Sequence, residues 1–233
     1  MAANVSGAID GRDAEYLHQL RVGIRRLRTV LRIFKARPLE RRLRKLTRPL
    51  GEARDWDVFV ARFGKGKARR RIAHARSRAV LSSQEFRSFF VEAQNWAREV
   101  SRTEEGPLAE FAAEALDRLR RRTLKRSRDI EWRKAKRRHA VRIAVRRLRY
   151  ACDFFSPCFK GARRYSHMLA DLQDLLGDLN DIAVARRLGP SRLEKTLDRR
   201  ERGLISELAP AWKAFENRPR FWVGKETPRA AAS

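Results

Sequence analysis

Residues 18–34 read HQLRVGIRRLRTVLRIF, and residues 139–155 read HAVRIAVRRLRYACDFF. A His, four Arg, a Leu and a Phe coincide in register with no gap. A second pair follows at nearly the same distance downstream, LGEARDWDV at 50–58 and LGDLNDIAV at 176–184. Two anchors in the same order indicate duplication of a whole unit. The halves are expected to meet near Gly106-Pro107, giving a first repeat over 1–105 and a second over 106–223, with 224–233 as a loose tail.

The spacing of each copy is helical. At about 100° per residue, His18, Arg21, Arg25, Arg28, Arg32 and Lys35 share an arc of roughly 100°. Leu20, Ile24, Leu27, Leu31 and Phe34 occupy the neighbouring arc. The second copy repeats the layout, with His139, Arg142, Arg146 and Arg149 beside Val141, Val145, Leu148, Cys152 and Phe155. The basic stripe therefore borders the packing face and belongs at the rim or floor of a groove between helices. Long side chains there bury their stems and project their charged heads. Arg26 and Arg147 turn away from the stripe.

The next helix of the first half repeats the design. Arg37, Arg41, Arg44, Lys45 and Arg48 lie on one side, and Leu39, Leu43, Leu46 and Leu50 on the other. Aligning Gly51 with Gly177 places Arg163, His167, Ala170, Asp171 and Asp174 at the matching positions. The second half has lost most of this second stripe, so the first is expected to contribute more binding energy.

Apolar residues recur at three- and four-residue steps through most of the chain, and β-branched alternation is scarce, which predicts an all-α fold. Breakers at Pro38, Gly51, Gly64, Gly66, Gly106-Pro107, Pro157, Gly161, Gly177, Gly189-Pro190 and Pro210 punctuate it. Helices are predicted over 12–36, 39–50, 54–64, 67–81, 84–102, 107–129, 131–156, 162–176, 178–187 and 191–216. No apolar run approaches the roughly 20 residues needed to span a bilayer. Met1 to Asp10 carries no basic segment followed by an apolar one. A cytoplasmic protein without a membrane partner is the expectation.

In 233 residues, 56 Lys and Arg face 28 Asp and Glu, for a formal charge of +28, while 42% of residues are hydrophobic. Such a chain builds a core, so it is no disordered basic tail. Its self-repulsion is costly without a polyanionic partner. Most of the cations are Arg, whose planar fork grips phosphate at two points. DNA, RNA, an anionic membrane and polyphosphate all satisfy this composition. His18 and His139 each sit one turn before an Arg on the same face and can donate to a phosphate oxygen. Neighbouring Arg charge holds them neutral near pH 7, so the Arg residues rank above them.

Asp55, Asp57, Asp178 and Asp181 follow the two Gly residues. They read as structural carboxylates that cap the next helix or pair with Arg. As Mg²⁺ ligands they would make the chain a phosphohydrolase, on one carboxylate pair per half. Cys152 and Cys158 form neither a disulfide framework nor a CxxC pair. Gly64-Lys65-Gly66-Lys67 lacks the spacing and preceding strand of a phosphate-binding loop. No catalytic residues, cofactor or metal are expected.

The double motif resembles the signature of the CHAD domain family, the histidine-bearing α-helical domains. It carries the His-x-x-Arg-[Val/Ile] start, the Arg-Arg-Leu-Arg core, and the Leu-Gly segments at 50–58 and 176–181. Leu81-Ser82 through Trp96 and Pro107 through Leu119 are similar to the family's intervening helices, and the likeness runs from about residue 12 to residue 222. The resemblance implies two antiparallel helical bundles related by internal pseudo-two-fold symmetry, with a basic groove between them. It implies binding of inorganic polyphosphate and association with polyphosphate granules. Carried onto this chain, the contacts are His18, Arg21, Arg25 and Arg28 with His139, Arg142, Arg146 and Arg149. Arg26 and Arg147 match the motif without a clear place in the stripe. The chain departs from the pattern at Asp171 and Asp174, and in an Arg/Lys-rich run from Arg133 to Arg138 behind Trp132. It has no Glu-x-Glu-x-Lys motif of the triphosphate-tunnel enzymes. Polyphosphate binding by a non-enzyme is the leading expectation, with nucleic-acid backbone binding as its alternative and weak nucleic-acid binding expected from charge alone.

Overall fold

The computed structural model describes residues 4–103, 107–188 and 194–223, and all regular structure among them is helical. The helices are α1 (Val5–Asp10), α2 (Ala14–Ile33), α3 (Arg37–Leu46), α4 (Arg48–Phe63), α5 (Lys67–Leu81), α6 (Gln84–Thr103), α7 (Leu108–Ser127), α8 (Ala135–Phe154), α9 (Ala162–Leu188) and α10 (Glu194–Asn217), with a 3₁₀ turn at Ser156–Cys158. The expected tail at 224–233, Gly106, Gly189-Pro190 and the start of the helix predicted from 191 lie outside the described residues. The chain divides into two compact units, Met1–Glu105 and Gly106–Ser233. Among the described residues no helix is long and apolar enough to cross a membrane.

In the first unit α2 packs on α3 and α4, and α4 on α5. Leu17, Leu20, Ile24 and Leu31 of α2 meet Leu39, Leu43 and Leu46 of α3 and Leu50 and Ala53 of α4 in one buried cluster. Asp13 starts α2 by accepting from the Glu15 amide at 2.8 Å. In the second unit α8 packs on α7 and α9, and α10 on α9. Val141, Val145, Leu148 and Cys152 are fully buried. The core closes around Tyr165, Phe215, Phe221 and Trp222, whose rings meet at 4.8–6.3 Å.

Three predicted breaks are corrected. Gly51, Gly177 and Pro210 lie inside helices α4, α9 and α10. The first half breaks at Thr47, where the Thr47 amide closes on Leu43, and Pro49 sits in the first turn of α4. Pro lacks an N–H to donate, and in the first turn that N–H would have no partner within the helix. The second half has Leu175 at the matching place, and α9 runs unbroken. Helix α1 was not expected, and it packs on α2 and α5.

Candidate functional site

Helix α2 presents its stripe half-buried: His18, Arg21, Arg25, Arg28 and Arg32 all sit between core and solvent, while Arg26 is exposed. The Nε donors of Arg21 and Arg25 are buried with no hydrogen-bond partner. Arg21 lies across α4 at Gly51, where a Cβ would stand 2.8 Å from Arg21 Nη1. Glycine in that motif makes room for a guanidinium. Burial depresses the pKa of Arg21; Asp55 opposes the shift, and Arg25 and Arg54 add to it. Asp55 keeps an exposed surface yet is crowded enough that desolvation pushes its pKa up, against the pull of Arg21 and Arg54. His18 is shifted down by desolvation first, then by Arg54; Glu15 opposes, and Arg25 and Arg21 add smaller pushes.

The far end of the stripe is held from below. Glu40 of α3 accepts from Arg28 Nε at 2.9 Å, from Arg28 Nη2 at 2.7 Å and from Arg32 Nη2 at 2.6 Å. Its side chain is 8% exposed, against 27% and 34% for Arg28 and Arg32. Burial opposes ionisation of Glu40, but the hydrogen bonds from the two Arg outweigh it and hold the carboxyl below its usual range. Arg37, Arg41, Arg44 and Lys45 are exposed on α3. Arg48 is exposed too, but it is the first residue of α4 and not, as predicted, a continuation of the α3 stripe. Lys35 stands beyond the end of α2 with a left-handed backbone, φ 58°.

In the second unit Arg142, Arg146, Arg147 and Arg149 of α8 are half-buried, and His139 is exposed. Arg149 Nε is buried with no hydrogen-bond partner, and its guanidinium lies 5.6 Å from the Tyr150 ring centroid. His139 Nδ1 stands 3.1 Å from Asn180 Oδ1. A ring donating there has only Nε2 left for phosphate, and Nε2 donates only when the imidazole is doubly protonated. Asn180 and Arg54 hold the same place in the Leu-Gly motif, fifth in each. In both units the His of the first motif thus interacts with that residue of the second motif. Arg163 and His167 are exposed on α9 and line a surface cleft with Asp153 and Ser166.

The carboxylates are not caps. Asp55 and Asp57 lie inside α4, and Asp178 and Asp181 inside α9, because the glycines before them do not end a helix. Asp57 is buried and accepts from Arg70 Nε at 2.6 Å, with His74 Nε2 at 2.8 Å. Asp178 lies 3.5 Å from Arg200, and Asp181 is exposed. Within the Arg/Lys-rich run before His139, Arg138 is 3% exposed and serves the core, pairing with Glu201 of α10 at 2.6 Å. Arg186 of α9 joins the same Glu201 at 2.6 Å. Among the described residues no three His, Cys, Asp or Glu side chains gather as a metal site. Sequence reasoning missed Arg54 and Glu40. Arg54 stood in a motif already noticed, and Glu40 was the one acid in the run RPLERRLRK.

A family model described as the CHAD domain matches residues 1–189. Among solved structures, the crystal structure of a CHAD domain from the plant Ricinus communis is similar, with a TM-score of 0.69 and 29% identity. That likeness covers 95% of this chain and 83% of the plant chain. No curated protein matches the chain.

Proposed function

Because the chain belongs to the CHAD domain family, we propose that it binds inorganic polyphosphate through the Arg stripes of α2 and α8 and the exposed cations of α3. The observation that carries this reading is the half-buried line of Arg that α2 and α8 both carry, Arg21, Arg25 and Arg28 in the one and Arg142, Arg146 and Arg149 in the other. Their planar forks match phosphate oxygens at two points each. An anion lying along a stripe meets several of these forks at once. The contacts are His18, Arg21, Arg25, Arg28, Arg32, Arg41, Arg44, Lys45 and Arg48 in the first unit, with His139, Arg142, Arg146 and Arg149 in the second. Each is charge-assisted, and together they displace the cations condensed on the polymer, so affinity falls as salt rises. The protein acts as a binding module that joins polyphosphate granules, without catalysis.

A second reading is binding to nucleic-acid backbones. It is favoured by the exposed cations around the α7–α8 turn, including Arg121, Arg122, Lys125, Arg126, Arg133 and Lys136. Such a surface attracts any polyphosphodiester without reading its sequence. Competition at physiological salt separates the two. Long-chain polyphosphate, tripolyphosphate and duplex DNA are titrated against one labelled polyphosphate probe, with the Arg25→Ala/Arg146→Ala double variant as control. Polyphosphate is expected to win by about tenfold or more, an advantage near 1.4 kcal/mol that the double variant loses. Equal competition by DNA, unchanged in the variant, favours the nucleic-acid reading.

A further inference from the structure

Arg32 follows His18 by fourteen residues, as Asp153 follows His139; Glu40 precedes Gly51 by eleven, as Ser166 precedes Gly177. These matched positions touch in both units. In the first, Arg32 donates to Glu40; in the second, the Ser166 hydroxyl donates to Asp153. The contact is retained while the cation is replaced by an anion. Arg149, the counterpart of Arg28, keeps its position, but the carboxylate that would match Glu40 is a serine. Only the first unit therefore ends its stripe in a buried carboxylate gripping two guanidinium groups.

The grip is directional. Arg28 spends Nε and Nη2 on Glu40 and Arg32 spends Nη2, all on the single oxygen Oε1. Nη1 of Arg28, with Nε and Nη1 of Arg32, stay available to a ligand. Two guanidinium groups held on one oxygen sit side by side, and their order is fixed before any anion arrives. The pair also carries one net positive charge with its carboxylate, where two free Arg would carry two.

We propose that Glu40 is a positioning residue for the polyphosphate site: it orders Arg28 and Arg32 as a paired phosphate clamp and limits the charge at that end of α2. This inference rests on the polyphosphate reading above. Preorganised donors bind with less loss of side-chain freedom, and a lower local charge makes binding less dependent on salt.

The test is polyphosphate binding across a salt series by the whole chain and three variants, each first confirmed as folded by thermal unfolding. Glu40→Asp keeps the charge and withdraws the carboxylate by one methylene. It is expected to bind roughly three- to tenfold more weakly at every salt concentration, with the wild-type slope of log affinity against log salt. Glu40→Gln removes the charge, and its slope is expected to steepen by about 0.7, the value for one further cation on a single-stranded polyanion. Glu85→Gln, an exposed carboxylate on α6, should leave the slope unchanged. A merely structural Glu40 would lower the unfolding temperature without steepening the Gln slope. Wild-type affinity in Glu40→Asp, or a wild-type slope in Glu40→Gln, overturns the role of Glu40 and leaves polyphosphate binding standing. If Glu40→Gln does not fold, Glu40→Asp decides alone. A wild type that ignores polyphosphate overturns both.

Discussion

Arg21 crosses α4 where Gly51 has no side chain, and this single approach predicts a separation of stability from binding. Glycine inside a helix costs roughly 0.5–1 kcal/mol relative to alanine. In Gly51→Ala the new Cβ meets the far end of Arg21, a flexible group that can swing aside. The variant is expected to unfold no more easily than the wild type, while polyphosphate affinity drops several-fold. At Gly177 an added methyl group would meet nothing within 4 Å, so Gly177→Ala should gain about 0.5–1 kcal/mol in denaturant titration and bind as before. His18 makes a second test. Its folded pKa lies below the ordinary 6.5, chiefly through desolvation and then Arg54. Between the two values the unfolded chain holds more protons, so stability falls as pH drops through 6.5 and the loss is complete below the folded pKa. NMR titration should place its midpoint under 6.5, and added polyphosphate should raise it by neutralising Arg54, Arg25 and Arg21. The stripe residues themselves were legible because helical spacing fixes which side chains share a face. Glu40 was not, since burial of a lone acid depends on which helix lies beneath it.

The two units differ where a proline differs. Pro49 starts α4 after the break at Thr47, whereas Leu175 lets α9 continue through the matching segment. Composition marked Gly51 and Gly177 as breakers because glycine is a poor helix former. Packing overrode that preference once the neighbouring leucines were buried on α2 and α8. The ends of α5, by contrast, follow directly from Gly66 before it and the Ser82-Ser83 pair after it. At this scale the Arg138–Glu201 pair, with Arg186 as a second cation, ties α8, α9 and α10 together below the surface. Removing one partner strands a buried charge. Glu201→Ala is therefore expected to lose about 3 kcal/mol of stability in chemical denaturation. Replacing exposed Arg137 with alanine should change stability by less than about 0.5 kcal/mol.

A net charge of +28 sets opposing salt dependences for the free and bound molecule. Added salt screens the self-repulsion of the free chain, so its unfolding temperature should rise from low to moderate ionic strength. The same salt weakens polyphosphate binding, and with it the ligand's own stabilisation, which at a hundredfold excess over Kd amounts to about 2.7 kcal/mol. Thermal scans with and without polyphosphate should therefore converge as salt increases. Scans that stay parallel would mean that polyphosphate binding does not weaken with salt, and a free-chain unfolding temperature that ignores salt would mean that charge repulsion contributes little to stability. The all-helical character of the chain was readable from sequence, because apolar residues recur at helical steps along it. The unequal charge of the two parts was readable as well, in Asp171 and Asp174 against Lys45 and Arg48.

The aromatic cluster of the second unit has a consequence for synthesis on the ribosome. Phe221 and Trp222 pack on Tyr165, and Trp222 donates to Asp117 of α7 at 2.8 Å. Translation must therefore reach residue 222 and clear the exit tunnel before the second unit can seal its interior. The first unit, complete by residue 105, emerges well ahead of it. At about 5–20 residues per second the interval between them is of the order of ten seconds. For that time the nascent chain carries one finished unit and one with its last aromatic residues still missing.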